Sequence, residues 1–212
     1  MMSELVALRG QVDASLRALP VVRDILNRKV PHEAYRRYLA SVANQYSPHS
    51  PIVMCQAASR LLNKDPELGK YLMQHATEEY GHNKWAFDDL LEEKLSEQQI
   101  RDAEPVPACA AMIGYIYYLA NFDNPVGLFG WMYILEAVGA DLGPDAVTEL
   151  RHEGKPVRFV AGHATADTAH AAEIETMIER HVKHAADQRA VLHAAKVSAD
   201  LYVRMFEQSL YV

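Results

Sequence analysis

Apolar residues recur along this chain at the three- and four-residue intervals of a helix, and no stretch shows the alternation expected of a strand. Residues 3–18 predict an amphipathic helix that stops before Pro20, whose ring is excluded from a helix interior. A second pattern starts at Pro31, a suitable first helical residue, and runs through HEAYRRYLASVANQY. It breaks at Pro48 and Pro51 and resumes as IVMCQAASRLL. After the turn at Asn63, Lys64, Asp65 and Pro66, one long helix is expected over ELGKYLMQHATEEYGHNKWAFDDLLEEKL. Two very apolar helices follow, over 107–121 and 125–141, separated by the turn at Asp123, Asn124 and Pro125; Gly143 and Pro144 are expected to end the second. A loop at Gly154, Lys155 and Pro156 leads into a final helical region from Val157 onward, interrupted near 185–187. No internal repeat is visible. The expectation is a single compact all-α domain, residues 1–212, of about seven or eight helices.

The informative residues are those that break the rule of apolar inside and charged outside. At about 100° per residue, His163, Asp167 and His170 fall on one helix face together with Phe159 and Ile174. Three ionisable groups in an H-x3-D-x2-H spacing on a core stripe are costly unless paired with one another or bound to a metal. Glu136 is the one charge in GLFGWMYILEAVGA. Buried alone it would stay neutral, hydrogen-bonded to a tyrosine or a carbonyl, whereas a metal would keep it ionised. In HATEEYGHNKW, Glu78 and Glu79 stand four and three residues before His82, so either can share a ligand face with it; His75 and Asp89 lie on the same stripe. A solvated glutamate face is the competing reading there. Taken together, a Glu/His pair, a lone carboxylate and a His-Asp-His triplet on three helices suit two iron or manganese ions better than a closed zinc site. His32, His49, His181, His184 and His193 lie at helix starts, between prolines or in charged stretches, where solvation is the expectation.

Composition narrows the classes. Half of the 212 residues are hydrophobic and 23% are charged, as in a globular protein. The net charge of -7 disfavours a phosphate-neutralising grip on nucleic acid. Residues 105–122 form the longest uncharged run, and its apolar part falls short of the roughly 20 residues of a membrane span. Two cysteines, Cys55 and Cys109, make no disulfide framework, and the opening MMSELVALRGQVD lacks the apolar segment of a signal peptide. The expectation is a cytoplasmic protein that binds neither membrane nor nucleic acid.

The strings YLASVANQYSPHSP, HATEEYGHNKWAFDDL, FGWMYILEAVGADLG and FVAGHATADTAH resemble the haem-oxygenase-like superfamily, which includes haem oxygenases, thiaminase II and pyrroloquinoline-quinone synthase. The Glu/His pair, lone Glu136 and H-x3-D-x2-H set resemble its di-iron oxidase and oxygenase branch over residues 35–185. The resemblance implies that His163, Asp167 and His170 are ligands, that Glu136 bridges or is shared and acts in catalysis, and that His82 with Glu78 or Glu79 completes the other position. It implies two iron ions, with manganese as the other option, and an O2-dependent oxidation of a small organic substrate from the amine, amino acid or fatty acid classes. The implied partners are O2, the substrate, an external electron donor and, as an open option, a second copy of the chain as a homodimer.

The sibling activities match less of the sequence. Residues 1–31 contain no histidine to serve as a haem ligand, and 125–141 contain no cysteine to serve as a thiaminase nucleophile. A haem-binding protein or a non-enzymatic metal- or ligand-binding bundle remain the alternatives. Tyr115, Tyr117, Tyr118 and Tyr133 are candidates to line a substrate cavity, with ordinary core packing as the other reading. Gly162, Thr165 and Thr168 weaken the helix around His163, so metal capture is expected to order that segment.

Overall fold

The computed structural model describes residues 1–210 and contains no strand among them. Its elements are α1 (Met2–Ala18), α2 (Pro20–Leu26), α3 (His32–Tyr38), a π-helical turn (Leu39–Ala43), α4 (Asn44–Tyr46), α5 (Ser50–Leu61) and α6 (Pro66–Glu79). Then come α7 (Asn83–Glu92), α8 (Glu97–Arg101), α9 (Pro107–Asn121), a 3-10 turn (Pro125–Gly127), α10 (Leu128–His152), α11 (Arg158–His181) and α12 (Ala185–Leu210).

Prolines and side-chain caps set many of the helix starts. Pro20, Pro51, Pro66 and Pro107 each sit in a first turn, where their missing N–H leaves no bond unmade. Asp65 caps α6 by accepting from Leu68 N at 3.2 Å. The start of α11 is capped from another helix. Asp89 of α7 is fully buried and accepts from Arg158 N at 3.1 Å, Phe159 N at 3.0 Å and the Arg158 guanidinium at 3.0 Å. A carboxylate at that end complements the helix dipole, so one satisfied buried charge fixes α7 against α11.

The sequence pattern misplaces three boundaries. The expected single helix across 67–95 is two, α6 and α7, separated at residues 80–82. The break in the final helical region falls at residues 182–184 rather than 185–187. Gly143 and Pro144 do not end α10, which runs on to His152. An interior proline costs roughly 3 kcal/mol. The turns beyond it bury Val147 and Leu150, each worth about 1.5–3 kcal/mol, and that burial offsets the lost bond.

Packing then places the polar residues. α10 is the central element, lying against α11, α12 and α1, while α5 pairs with α6. By length and composition Pro125–His152 would also span a membrane, but 67% of its apolar window is buried inside the protein, which makes it a core helix. A large apolar cluster joins α1, α5, α6, α9, α10, α11 and α12. A smaller one joins Tyr35, Leu39, Ala86, Leu90, Ile100, Leu150 and Phe159. The candidate ligands sit between the two. α10 and α11 meet closely there: a Cβ on Gly139 would stand 2.9 Å from Asp167 Cγ, so only glycine lets that carboxyl group lie against the α10 backbone.

Candidate metal centre

The corner after α6 brings the first ligands together. Tyr80 is extended, with φ -66° and ψ 116°, and Gly81 takes φ +96°, a value glycine adopts without strain. Glu79 and His82 therefore meet across a turn, with His82 Nδ1 3.1 Å from Glu79 Oε2.

Two overlapping groups result. In the first, His75 and Glu79 of α6 face Glu136 of α10 and His170 of α11, and one ligand atom from each lies within 4.8 Å of all the others. His75 Nε2 is 3.3 Å from Glu136 Oε1, and His170 Nδ1 is 3.3 Å from Glu136 Oε2. In the second, Glu79 is joined by His82 and His163, whose Nε2 lies 3.8 Å from Glu79 Oε2. The His163 Nδ1–H donates to the Phe159 carbonyl at 2.9 Å, which selects the tautomer whose free Nε2 faces Glu79. Glu79 is common to both groups, and His75 and His82 belong to one each.

The protonation pattern is that of a site prepared for positive charge. Burial works against ionised Glu79, yet the facing imidazoles of His163 and His82 hold its carboxyl well below the usual range. Glu136 is likewise held low against burial, by His170 and His75. Asp167 goes the other way: burial first, then the adjacent Glu136 carboxylate, push it up to about 10. The hydrogen bond to Glu136 raises His170, and Glu79 raises His163 against its burial. Glu79 Oε1, Asp167 Oδ1 and His75 Nδ1 are buried with no hydrogen-bond partner among the described residues. Each such atom costs about 1–3 kcal/mol, a cost that a cation accepting carboxylate oxygens would remove. Mixed imidazole and carboxylate donors on this scale fit iron or manganese.

The residues singled out from sequence have different places here. Glu79, His82, Glu136, His163 and His170 lie in one or both groups. Asp167 lies outside both, though it is 4% exposed and its carboxyl interacts with Glu136. Glu78 is also outside. Its side chain is 41% exposed at the rim, accepts from Gln74, and places Oε2 3.4 Å from His170 Nε2. Sequence reasoning put His75 on the right stripe but did not name it as a ligand. The available signal was its position four residues before Glu79, the spacing at which two side chains on one helix face the same point.

An apolar cavity of about 170 Å³ opens against these groups. His75, Glu79, Glu136, His163 and Asp167 are its ionisable part, and Met54, Trp131, Leu135, Leu142, Val160 and Phe206 belong to its apolar wall. The tyrosines on it are Tyr35, Tyr38, Tyr46 and Tyr202. Tyr115, Tyr117, Tyr118 and Tyr133 are not on it: Tyr115 and Tyr117 pack against the core from α9, Tyr118 is half-exposed, and Tyr133 is buried beside Arg9 and Glu175. Tyr46 is fixed by the Trp131 indole, which donates to its hydroxyl. No lysine or arginine among the described residues lines the cavity.

Comparison with known proteins gives the chain a family and a fold. The model of a family described as iron-containing redox enzymes matches residues 36–203, and the chain belongs to that family. Among solved structures it is similar to a domain of unknown function with a haem oxygenase-like fold from Shewanella denitrificans OS217 (TM-score 0.86, 21% identity, covering 99% of this chain and 91% of that one). It is also similar to TenA homologues from Pseudomonas syringae pv. tomato DC3000 (TM-score 0.77, 13% identity, 99% and 92% coverage) and P. horikoshii OT3 (0.80, 13%, 99% and 97%). These likenesses establish the haem oxygenase-like all-α fold. No curated protein matches the chain significantly.

Proposed function

We propose that this chain is a non-haem di-iron oxidase or oxygenase acting on a small, largely apolar organic molecule. The observation that carries the reading is the pair of donor groups joined through Glu79, with buried carboxylate oxygens left unpartnered. His75, Glu79, Glu136 and His170 would hold one ion, and Glu79, His82 and His163 the other, with Asp167 adjacent to complete either. The iron pair would supply the binding and reductive activation of O2, drawing on an external electron donor.

The chain's own residues supply the rest. Glu79 couples the two positions, because one carboxylate faces both sets of imidazoles. His163 presents Nε2 because its Nδ1–H is committed to Phe159. Asp167 holds a proton beside Glu136 and can release it when a cation arrives, so charge entering the pocket is balanced locally. The apolar wall excludes water and receives the body of the substrate, which strengthens every polar contact at the ligand end. With no lysine or arginine among the described residues of the wall, a zwitterionic substrate would place its carboxylate toward the metal and imidazole end. Haem has less support: His32 is engaged with Glu93 and Lys155, His49 with Tyr117, and neither lines the cavity. The two unbridged cysteines are in keeping with a cytoplasmic setting.

The test is anaerobic Fe(II) loading followed by exposure to O2, read by an oxygen electrode and optical absorbance. Fast O2 consumption by iron-loaded protein, absent from zinc-loaded protein, is expected. Iron-loaded protein that consumes no O2, with or without a reductant, would overturn the reading.

A further inference from the structure

Trp85 lies outside both donor groups, yet it touches the second. Its ring stacks on His82 with centroids 4.0 Å apart and 20° between planes, and meets His163 edge-on at 5.8 Å. Space for it comes from the neighbouring helix. A Cβ on Gly162 would stand 2.7 Å from Trp85 Cε3, inside van der Waals contact with a rigid ring that cannot swing away as a flexible side chain does. Gly162 therefore occupies the second turn of α11 at the expense of helix propensity, and the observed close approach supplies a reason.

We propose that Trp85, seated in the notch left by Gly162, is the positioning residue of the second metal position, formed by Glu79, His82 and His163. This rests on the di-metal reading above. His82 stands at the corner between α6 and α7, and among the described residues its ring hydrogen-bonds only to Glu79, an acceptor shared with the other group. One hydrogen bond leaves an imidazole free to turn about its own axis; a ring stacked on its face removes that freedom. The first position has less need of such a device, because His75, Glu136 and His170, three of its four ligands, come from within α6, α10 and α11. Positions of unequal rigidity follow, with three donors and an aromatic brace in one and four donors in the other.

The experiment uses the full-length chain carrying Trp131→Phe, so that Trp85 is its one tryptophan, titrated anaerobically with Fe(II) and separately with Co(II). Trp85 emission is expected to be quenched chiefly by the equivalent that fills the second position. In that background Gly162→Ala should bind one metal tightly and weaken the other at least tenfold, and the quenching step should be lost with it. Alanine is the better helix former, so a weakened site cannot be blamed on helix propensity. Trp85→Phe, which keeps a stacking ring of smaller area, should retain more of the second equivalent than Trp85→Leu. A purely structural role would instead lower the melting temperature of the metal-free variants and weaken both equivalents alike. Two tight equivalents in Gly162→Ala and Trp85→Leu would overturn the proposal while leaving the di-metal reading intact; a parent chain that binds no metal would overturn both.

Discussion

His75 Nε2 on α6 lies 3.3 Å from Glu136 Oε1 on α10, and the His75 ring stands 4.4 Å from that of His170 on α11. A residue 1% exposed thus reaches the lone carboxylate of the most apolar helix and one end of the H-x3-D-x2-H triplet. Ligands from three separate helices converge at that point.

Replacing His75 should therefore remove a metal position. His75→Ala is expected to lower bound iron from about two per chain to about one and to abolish O2 consumption. Iron-to-protein ratios after gel filtration check this. A variant that retains both irons would show that His75 only braces Glu136.

Glu136→Gln keeps the shape and one acceptor for His75 and His170 but removes the charge. Metal-free stability should change by less than about 1 kcal/mol, since the hydrogen bonds can largely be kept. O2 reactivity of iron-loaded protein should disappear. Melts of metal-free protein and O2 uptake, run side by side, separate a lost ligand from a damaged fold.

Gly139→Ala should do the reverse, harming the fold itself. The added Cβ would collide with the Asp167 carboxyl and force α10 from α11. Overpacking of this kind costs about 1–3 kcal/mol. For a chain of this size that lowers the melting temperature by roughly 2–4 °C per kcal/mol, in metal-free and loaded protein alike. An unchanged melt would mean the two helices can part without cost.

Much of this site was legible because it sits on helices that behave as their sequence predicts. α11 is unbroken from Arg158 to His181, so the 3.6-residue period correctly placed His163, Asp167 and His170 on one face. Glu136 stood out as a single charge among apolar neighbours. What was not legible depended on contacts between helices. His75 needs the corner at Tyr80 and Gly81, which turns α7 away and leaves the end of α6 facing α10. Whether Tyr115, Tyr117, Tyr118 and Tyr133 line the cavity depended on how α9 and α10 are turned against their neighbours, and Gly162 looked like a weak point because its neighbour Trp85 is distant in sequence. Pro144 was misread because burial beyond it outweighed its local cost.

A pH dependence follows from a different cluster. Glu93 is 7% exposed; burial opposes its ionisation, but Arg36 at 2.9 Å and the Lys155 ammonium hold its pKa below the usual value. A depressed carboxylate pKa adds stability that is complete above the unfolded value, near 4.5, and is lost as pH falls through the folded value. Wild-type stability should therefore decline more steeply below about pH 4.5 than that of Glu93→Gln. Urea melts between neutral and acid pH give the two slopes, and parallel curves would contradict the assignment.

Metal should also order α11 locally. Hydrogen exchange over residues 160–172 is expected to slow when Fe(II) binds, because the cation partners the buried Asp167 and Glu79 oxygens. Equal and strong protection in both states would show a helix rigid without metal.

Whether Glu79 joins two metal positions is decided most directly by how many irons the chain holds. Anaerobic titration with Fe(II), followed by chelator-resistant iron analysis, should break at two equivalents per chain, with His163→Ala and His75→Ala each breaking near one. A wild-type break at one equivalent, or none, would contradict a site in which Glu79 joins two metal positions.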